Sequence, residues 1–339
     1  MFEQVLAGMR DGVMVLDAED RIVYANPALA ALFALPADSF SGKRPLEAVR
    51  LVELAELIAE VRQNGNPESR EMKVVYPAEK VLLGSANLVK MDNGNGVAVV
   101  IQDITEVKKL ENLRQEFVAN VSHELKTPLT AIRSYAETLL HGAIDDPRNN
   151  RKFLGKIEQN SLSLAALIDD TLELSRLETR RGLEPFQAFN LEEEIDKALE
   201  TLTPRMKEKM IEVVKEGEPG NCQIVGEPGH IYRALLNLLD NAVKYSNAGG
   251  QIEIHCEKGA GELRLSVRDH GPGIPAEHQP RIFERFYRVD KARSRELGGT
   301  GLGLSIVKHI MEIHGGRVEL ESAAGQGATF ILTFPLSRA

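Results

Sequence analysis

The feature that most constrains the fold is a long apolar stripe that begins just after Thr105. Apolar residues recur there at steps of three and four positions, which is the period of one face of an α-helix. The members of the stripe are Val107, Leu110, Leu113, Phe117, Val121, Leu125, Leu129, Ile132, Ala136 and Leu139. The pattern predicts one helix of about 35 residues, or ~50 Å at 1.5 Å per residue. We expect it to end at His141-Gly142.

A second apolar stripe follows the first after a short loop. Asp146-Pro147 combines a capping residue with a first-turn proline and predicts a new helix that runs to about Glu178. Its stripe consists of Phe153, Ile157, Leu164, Ile168, Leu172 and Ser175. Two long helices joined in this way form an antiparallel hairpin whose apolar seam is too exposed to stand alone. We therefore expect a homodimer in which two hairpins build a four-helix bundle.

Residues 1–103 have a different pattern, of short strands and turns. Gly12–Leu16 and Arg21–Tyr24 flank an Asp-rich turn and predict a hairpin, and Asn26-Pro27 starts a helix over Ala28–Leu35. Further strands are predicted at Glu71–Tyr76, Lys80–Met91 and Val97–Ile101. This order indicates an α+β domain with one antiparallel sheet.

The interior of this first domain is expected to be an ordinary packed core. Its predicted members are Val13, Val15, Val23, Leu32, Phe33, Val99 and Ile101. No histidine or cysteine precedes His123, so we expect neither a haem with a histidine ligand nor a covalent flavin adduct. A change in this domain is expected to pass through Asp103-Ile104-Thr105 into the long helix.

After Arg180-Arg181-Gly182 the pattern is mixed α/β up to Ala339. Helices are predicted at Leu191–Lys209, His230–Ser246 and about Gly301–His314, and strands at Gln251–Lys258, Glu262–Asp269, Gly316–Glu321 and Ala328–Pro335. The whole chain is therefore an α+β multidomain protein with boundaries at 1–103, 104–181 and 182–339.

Composition excludes several classes of protein. The formal charge of −9 disfavours direct nucleic-acid binding. The only cysteines, Cys222 and Cys256, cannot build a disulfide framework or a zinc cluster, which favours a reducing cytoplasm. No run approaches the ~18 apolar residues of a membrane span. Contact with a membrane would require a further N-terminal segment.

The helical block contains a candidate nucleophile in the segment Ser122–Leu129. His123 and Thr127 are four residues apart and share one helix face, while Pro128 should kink the helix beside them. A neutral imidazole whose Nδ1–H is held by the Glu124 carboxylate presents its Nε2 lone pair. An ordinary surface histidine is the alternative, which the flanking residues weaken.

Polar residues in the last block suggest an anion-binding site. Asn237, Asn241 and Lys244 form a stripe on a predicted helix that is able to hold a metal ion and phosphate oxygens, although a solvated helix face fits equally well. Asp269 closes a strand before the Gly271–Gly273 turn. Gly298–Leu304 opens a helix whose bare N–H groups suit a phosphate chain.

A basic run lies between the two glycine clusters. Residues 281–295 carry six positive side chains against Glu284 and Asp290, a local charge of +4 that favours an anionic ligand. The positive residues are Arg281, Arg285, Arg288, Lys291, Arg293 and Arg295. Neither a G-x-x-x-x-G-K-[ST] loop nor an H-R-D and D-F-G pair occurs, which excludes P-loop NTPases and the usual Ser/Thr/Tyr kinases.

Five segments together resemble the H, N, G1, F and G2 boxes of two-component sensor histidine kinases. They are Ser122–Leu129, Asn237–Lys244, Asp269–Gly273, Phe283–Phe286 and Gly299–Gly303. The resemblance covers residues 105–339, and residues 1–103 resemble a PAS sensor domain. Phe117–Leu125 and Glu137–Leu140 are similar to the phosphate-regulon sensor kinases.

This resemblance implies a fold and a reaction. The C-terminal block would be an α/β sandwich of the histidine kinase, Hsp90 and gyrase type with an ATP lid. The protein would use ATP and Mg²⁺ to phosphorylate a histidine, and would pass the phosphoryl group to an aspartate of a response regulator. Phosphatase activity toward that regulator is also implied.

The resemblance also implies roles for single residues. His123 would be the phosphoacceptor, Glu124 the base that orients it, and Thr127 the residue that positions a hydrolytic water. Asn241 would bind Mg²⁺, Asp269 the adenine amino group, and Arg288 the γ-phosphate. The remaining nucleotide-site residues would be Asn237, Lys244, Tyr245, Gly271, Gly273, Thr300, Gly301, Leu302 and Gly303.

Two other functions are considered. An ATPase of the gyrase, Hsp90 or MutL type shares the ATP boxes but lacks a phosphoacceptor helix, so Ser122–Pro128 argues against it. A PAS scaffold without activity is disfavoured by the intact Asn241, Asp269 and Gly301.

Overall fold

The computed structural model describes residues 2–75, 78–91, 94–179, 185–217, 222–290 and 299–336. The chain divides into two compact units, residues 1–116 and 117–339. The elements of the first unit are α1 (Phe2–Ala7), β1 (Gly12–Leu16), β2 (Ile22–Ala25), α2 (Pro27–Phe33), α3 (Pro45–Val49), α4 (Val52–Asn64), β3 (Glu68–Val74), β4 (Lys80–Met91), β5 (Gly94–Asp103) and the start of α5 (Thr105–Leu140).

The first unit is built on one antiparallel sheet, as predicted. Its strand order is β2-β1-β5-β4-β3. Helix α4 packs on β3, β4 and β5, and α2 packs on β1. The predicted hairpin and the bounds of β4 are confirmed. Strand β3 begins three residues earlier than expected, at Glu68, and Tyr76 of the predicted strand lies outside the described residues.

Asn26 explains how the hairpin turns into α2. This residue is 1% exposed, and its Oδ1 accepts hydrogen bonds from Val13 N (2.8 Å) and from Leu29 N (3.0 Å), which caps the helix. Its Nδ2 donates to the carbonyl oxygens of Leu6 and Asp11 at 3.0 and 2.9 Å. All hydrogen-bonding capacity of a buried amide is thereby used, which is what burial of a polar group requires.

The core of the first unit contains most of the predicted residues. Val13, Phe33, Val99 and Ile101 are buried, and Val15 and Leu32 are partly buried. The prediction for Val23 is wrong, because its exposed fraction is 50%. Successive side chains of a strand point to opposite faces. Since Ile22 of β2 is buried, its neighbour Val23 points outward.

The first turn of α5 is tied to the sheet. Ile104 N donates to Val81 O at 2.9 Å, Val81 N donates to Thr105 Oγ1, and Thr105 N donates to Asp103 Oδ1, both at 3.0 Å. Burial alone would raise the pKa of Asp103, but hydrogen bonds from Thr105 and the charge of Lys80 lower it below its ordinary value. The junction residues are therefore held by several polar contacts.

The second unit continues α5 and adds an α/β part. Its further elements are α6 (Asn150–Thr179), β6 (Gln187–Asn190), α7 (Leu191–Lys209), β7 (Glu212–Gly217), β8 (Gln223–Gly226), α8 (Pro228–Tyr245), β9 (Gln251–Lys258), β10 (Glu262–Asp269), α9 (Gly303–Ile313), β11 (Arg317–Ser322) and β12 (Ala328–Pro335). The predicted bounds of α7, β9, β10 and β12 are confirmed.

The α/β part is a sandwich of helices on a sheet, as expected. The sheet has the strand order β11-β12-β10-β9-β7, with β7 parallel to β9 and the other pairs antiparallel. Helix α8 packs on α7, α9 and β10. Strands β6 and β8 form a separate pair. Strands β6, β7 and β8 were not predicted, because each has only four to six residues and little apolar alternation.

The predicted start of α6 at Asp146-Pro147 is wrong. Helix α6 begins at Asn150, and residues 147–149 form a turn. The Asp146 carboxylate caps this turn, because its Oδ1 accepts from Arg148 N at 2.9 Å. Asn150 N donates to Asp146 O, also at 2.9 Å. The capping residue and the proline therefore start a turn that precedes the helix.

The hairpin of α5 and α6 leaves many apolar side chains exposed. Helix α5 is continuous over 36 residues with Pro128 inside it. Large apolar side chains that are 45–81% exposed within this part of the second unit are Val118, Leu129, Leu140, Leu154, Leu162, Ile168 and Leu172. The described residues of one chain therefore leave an apolar surface of the hairpin exposed.

Cys222 and Cys256 form one disulfide bond in the structure, which was not predicted from the sequence. Cys256 lies on β9 opposite Gly217 of β7, and Cys222 directly precedes β8. The two residues are 34 positions apart, and the unpredicted strands β7 and β8 bring them together. The sequence spacing alone did not indicate this proximity.

Candidate functional site

A cavity of about 680 Å³ lies in the α/β part of the second unit. This size falls in the range of small-molecule sites. Most of the predicted nucleotide-site residues line it, namely Asn237, Asn241, Lys244, Tyr245, Asp269, Gly273, Arg288, Thr300, Gly301 and Gly303. Two predicted members, Gly271 and Leu302, are not among its described lining residues, and neither are His123, Glu124 and Thr127.

The polar stripe of α8 faces the cavity. Asn237, Asn241 and Lys244 follow one another at steps of four and three residues, so they share one helix face. Lys244 Nζ pairs with Asp240 Oδ2 at 2.6 Å. Asp240 also pairs with Arg205 of α7. The prediction missed Asp240 and Arg205, although an acid four residues before Lys244 was a readable signal.

Asn237 sets how closely the glycine loop approaches α8. Its Nδ2 donates to Arg233 O at 3.1 Å, which orients the amide. A Cβ at Gly303 would lie 2.8 Å from Asn237 Oδ1. A larger residue at the start of α9 would therefore displace the Asn237 amide, whereas glycine lets the N-terminus of that helix come close to α8.

Asp269 lies at the end of β10 and is 6% exposed. Its Oδ1 accepts a hydrogen bond from Gly271 N at 2.8 Å. Burial raises the pKa of Asp269, and backbone hydrogen bonds from Gly271 and Ala328 oppose that rise. A buried carboxylate at the cavity wall is a strong acceptor for a polar N–H group of a ligand.

The two glycines after Asp269 are required by close backbone packing. A Cβ at Gly271 would lie 2.6 Å from Tyr245 O, so Gly271 lets the end of β10 lie against α8. Gly273 has a φ of +66° and lines the cavity, and a Cβ there would lie 2.0 Å from Ala323 O. Gly271 thus packs against the end of α8 outside the cavity lining, whereas Gly273 forms part of the cavity wall.

The glycine loop before α9 is shaped by its backbone. Gly301 has a φ of +75°, and its carbonyl accepts a hydrogen bond from Phe286 N at 2.8 Å. This left-handed residue explains why α9 begins at Gly303 and not at Gly301 as expected. Leu302 is fully buried, and its N–H donates to Thr300 Oγ1 at 3.2 Å. Leu302 therefore anchors the loop instead of lining the cavity.

Two side chains of the basic run form ion pairs, and another lines the cavity. Arg281 Nη2 pairs with Glu284 at 3.0 Å, and Arg285 pairs with Glu178 of α6. These two residues are therefore engaged in ion pairs in the structure and do not line the cavity. Among the described members, Arg288 is the one that lines the cavity. Lys291, Arg293 and Arg295, and likewise Gly298, lie outside the described residues.

Arg288 links the cavity to the histidine-bearing helix. Its side chain is only 7% exposed, and its Nη2 lies 3.4 Å from Glu124 Oε2. Nearby, the rings of Phe117 on α5 and Phe286 pack with their centroids 5.9 Å apart. One side of the cavity therefore abuts α5 at the residue that follows His123.

His123 itself is accessible. Its side chain is 71% exposed, while that of Glu124 is 21% exposed. His123 Nδ1 lies 3.6 Å from Glu124 Oε1, which is beyond hydrogen-bond distance. Thr127 Oγ1 donates to His123 O at 3.2 Å. Hydrogen bonds of catalytic groups often tighten when substrate binds.

Asp170 of α6 is a cavity residue that sequence analysis missed. Its Oδ1 accepts from Arg233 Nη2 at 2.6 Å, and its Oδ2 accepts from Thr300 Oγ1 at 2.7 Å. Thr300 is 130 positions away in sequence, so no local pattern signalled this contact.

Three segments of the chain match known families in the predicted order. Residues 6–109 match the PAS fold, residues 113–180 the His Kinase A (phospho-acceptor) domain, and residues 226–338 the histidine kinase-, DNA gyrase B- and HSP90-like ATPase. The ATPase match includes most of the residues that line the cavity, so the ligand class of the cavity is ATP. The phosphoacceptor match spans His123.

Individual known proteins that the chain resembles are also histidine kinases. The chain is 36% identical over 326 residues to the sensor-like histidine kinase SenX3 of Mycolicibacterium smegmatis, covering 96% of this chain and 83% of that protein. It is 34% identical to the sensor histidine kinase WalK of Bacillus subtilis over 98% of this chain, but it spans about half of WalK (54%). The crystal structure of the histidine kinase ThkA in complex with the response regulator TrrA has a TM-score of 0.55 at 25% identity, with 98% of both chains covered.

The chain belongs to the sensor histidine kinases of two-component systems, and it is a protein-histidine kinase. The predicted resemblance to this family, including the phosphate-regulon group, is confirmed. The match to a phosphoacceptor domain disfavours a plain gyrase- or Hsp90-type ATPase. Within the described residues, no helix combines the length and apolarity needed to span a membrane.

Proposed function

We propose that this kinase transfers the γ-phosphoryl group of Mg·ATP to His123. The observation that carries the proposal is the contact between Arg288, which lines the nucleotide cavity, and Glu124, the neighbour of His123. This contact links the site of the donor to the site of the acceptor. We propose domain boundaries at 1–103, 104–181 and 182–339, which the three family matches support.

The cavity offers a polar partner for each part of the nucleotide. The buried Asp269 carboxylate accepts a hydrogen bond from the adenine amino group, and the wall formed by Gly273 leaves room for the base. The backbone of Thr300, Gly301 and Gly303 wraps the phosphates at the N-terminus of α9, where N–H groups point outward. Lys244 and Tyr245 contact phosphate and nucleotide, and Arg288 lies beside the γ-phosphate.

The residues of α8 fit a magnesium ion bound together with the nucleotide. Asn241 lines the cavity and carries an amide oxygen, and Asn237 lies one turn before it. Mg²⁺ prefers oxygen ligands and commonly takes one or two from the protein and the rest from phosphates and water. When bound, the ion neutralises developing charge on the phosphates. Asn241 is the proposed protein ligand, with Asn237 supporting it.

The proposed reaction is an in-line displacement at phosphorus. His123 Nε2 donates its lone pair to the γ-phosphorus, and the bond between that phosphorus and the β,γ-bridging oxygen breaks. ADP leaves with the bonding electron pair. The Nδ1 proton passes to the Glu124 carboxylate, so the imidazole ring of the phosphohistidine is neutral and the transferred phosphoryl group keeps its negative charge. Glu124 thus acts as the base, and it must close the 3.6 Å gap to Nδ1.

We propose that the kinase works as a homodimer with a response regulator as its partner. The exposed apolar side chains of α5 and α6 support a four-helix bundle with a second copy of this chain. ThkA, which this chain resembles along its length, was solved with the response regulator TrrA. An aspartate of such a regulator is the proposed acceptor of the phosphoryl group from His123.

We also propose that the kinase removes phosphate from the same regulator. Thr127 lies one helical turn after His123, on the same face. Its hydroxyl proton is donated to His123 O, which leaves the oxygen lone pairs of Thr127 to accept from a water molecule. That water would lie where the aspartyl phosphate of the regulator arrives.

Labelling with [γ-³²P]ATP separates this function from a plain ATPase. The full chain should take up label with Mg²⁺, and the label should resist base but be lost in acid, as expected for phosphohistidine. Release of inorganic phosphate without protein labelling would contradict the proposal. Replacing Mg²⁺ with EDTA is the control and should abolish labelling.

A further inference from the structure

Asp170 joins three parts of the second unit around the cavity. It lies on α6, is 7% exposed, and bonds Arg233 of α8 and Thr300 of the glycine loop at 2.6 and 2.7 Å. With Ala166, it forms a part of the cavity wall that comes from the hairpin and not from the α/β part. The hairpin therefore places a carboxylate inside the nucleotide site.

The bond to Thr300 competes with a bound phosphate. A threonine hydroxyl has a single proton to donate. In the structure Thr300 donates it to Asp170 Oδ2 and accepts from Leu302 N. Phosphate oxygens are acceptors, so Thr300 must leave Asp170 before it donates to them. The negative carboxylate would also lie beside the negative phosphates, which disfavours both being present at once.

Arg233 is placed to change partners in the same event. Its side chain lines the cavity and pairs with Asp170 through Nη2. Its Nε–H is buried and has no hydrogen-bond partner among the described residues. The Arg233 side chain is 32% exposed, but a guanidinium whose Nε–H is buried and that loses Asp170 favours another anion in its place. A phosphate group in the cavity meets that need, so Asp170 occupies the position of an internal substitute for phosphate.

The state held by Asp170 is not arranged for phosphoryl transfer. The His123 side chain is 71% exposed and is not among the described residues that line the cavity. Transfer requires the γ-phosphorus to reach Nε2 directly. The α/β part must therefore move along the hairpin, and the contacts of Asp170 with Arg233 and Thr300 resist that motion.

We propose that Asp170 is a nucleotide-displaced latch: it holds the α/β part on α6 through Arg233 and Thr300, and the phosphates of ATP displace it. The proposal rests on the proposed function, since it requires phosphates at Thr300. Asp170 acts as a positioning residue, because it controls where the α/β part sits and takes no part in the bond changes at phosphorus.

Nucleotide affinity of the full chain tests the latch. Asp170→Asn keeps the shape but removes the charge, and Asp169→Asn makes the same change at the exposed neighbour on α6. By calorimetry, Asp170→Asn should bind Mg·ATP about three- to tenfold more tightly than wild type, with adenosine affinity unchanged. Asp169→Asn should match wild type. Equal or weaker Mg·ATP binding by Asp170→Asn would overturn the latch.

Hydrogen exchange over residues 163–174 provides a second measurement. Adding the non-hydrolysable analogue AMP-PNP should raise the exchange rate of these backbone amides in wild type. In Asp170→Asn the same amides should exchange fast even without nucleotide. Slower exchange in wild type on adding AMP-PNP would also overturn the latch. Failure of wild type to bind Mg·ATP at all would instead refute the proposed function, so the two failures are distinct.

Discussion

The hairpin and the α/β part of the second unit both carry apolar stripes on their helices but bury them very differently. Helix α8 buries seven of its 18 residues. Helix α6 buries four of 30, and α5 buries one of 36. The α/β part thus completes its core within one chain, while the hairpin leaves an exposed apolar surface on which the proposed dimer depends.

This difference separates two properties of the kinase. The nucleotide cavity is built almost entirely from the self-sufficient α/β part, so damage to the cavity should leave the dimer intact. The hairpin holds the proposed acceptor and the proposed dimer surface, so damage there should leave nucleotide binding intact. The latch residue Asp170 is the exception, because it belongs to the hairpin but lies in the cavity wall.

The largest effect is expected for Asn241→Ala. Loss of the proposed Mg²⁺ ligand should lower the autophosphorylation rate by about 100- to 1000-fold, the usual scale for losing one group that stabilises transition-state charge. Affinity for adenosine and the dimer fraction should not change. Asn247→Ala, an exposed asparagine just beyond the same helix, is the control. A rate within a few-fold of wild type would contradict the assignment.

Ile168→Glu should break the dimer without harming the cavity. The side chain is 45% exposed in one chain and lies on the predicted stripe of α6. A dimer core would bury two uncompensated carboxylates, so dimer affinity should fall by about 100-fold. Leu162→Glu is the control, since Leu162 is 66% exposed but lies ~120° around the helix. Equal dissociation of both variants in sedimentation experiments would argue against this seam.

Asp269→Asn should weaken ATP binding and stabilise the empty protein. Loss of the charged acceptor should cost about 1.5–3 kcal/mol of binding free energy. Burial raises the pKa of Asp269 above its unfolded value, so the native state binds more protons and stability falls as pH rises through that window. The amide removes this penalty, and its melting temperature at pH 7 should rise.

The same pKa direction predicts how ATP affinity depends on pH. Protonation of Asp269 should weaken binding as pH falls, and it should do so above the 3.8 of an ordinary aspartate. Asp145→Asn, at an exposed carboxylate of the hairpin loop, is the control and should retain wild-type affinity. Unchanged ATP affinity in Asp269→Asn would refute the adenine position.

The smallest effect is expected for Thr127→Ala. Autophosphorylation should stay near wild type, while dephosphorylation of the phospho-regulator should slow several-fold, because the water acceptor is lost. Thr138→Ala removes the same kind of hydroxyl-to-backbone bond further along α5 and serves as the control. Parallel loss of both activities would indicate a damaged bundle and not a missing water site.

Local patterns predicted the parts of the site that lie within one element. The period of α8 gave Asn237, Asn241 and Lys244, and the strand followed by glycines gave Asp269. Glycine also marked the loop before α9, where backbone geometry excludes other residues. In each case the physical signal spans fewer than ten positions.

Contacts between distant elements could not be predicted in this way. Asp170 looked like an ordinary polar residue of the hairpin, and its partner Thr300 is 130 positions away. The same is true of the Arg205–Asp240 pair and of Cys222 with Cys256, which depend on how helices and strands pack. The ion pair of Arg285 was not predicted for a related reason, because its partner Glu178 lies on another element.

The most direct test of the account is labelling of His123→Ala beside His141→Ala in the full chain. Both histidines are exposed: His123 lies within α5, and His141 directly follows its last residue. Of the two, only His123 adjoins the Glu124–Arg288 contact. With Mg·[γ-³²P]ATP, His123→Ala should bind ATP as wild type does and take up no acid-labile label, whereas His141→Ala should label normally. Acid-labile labelling of His123→Ala at the wild-type level would contradict the central claim.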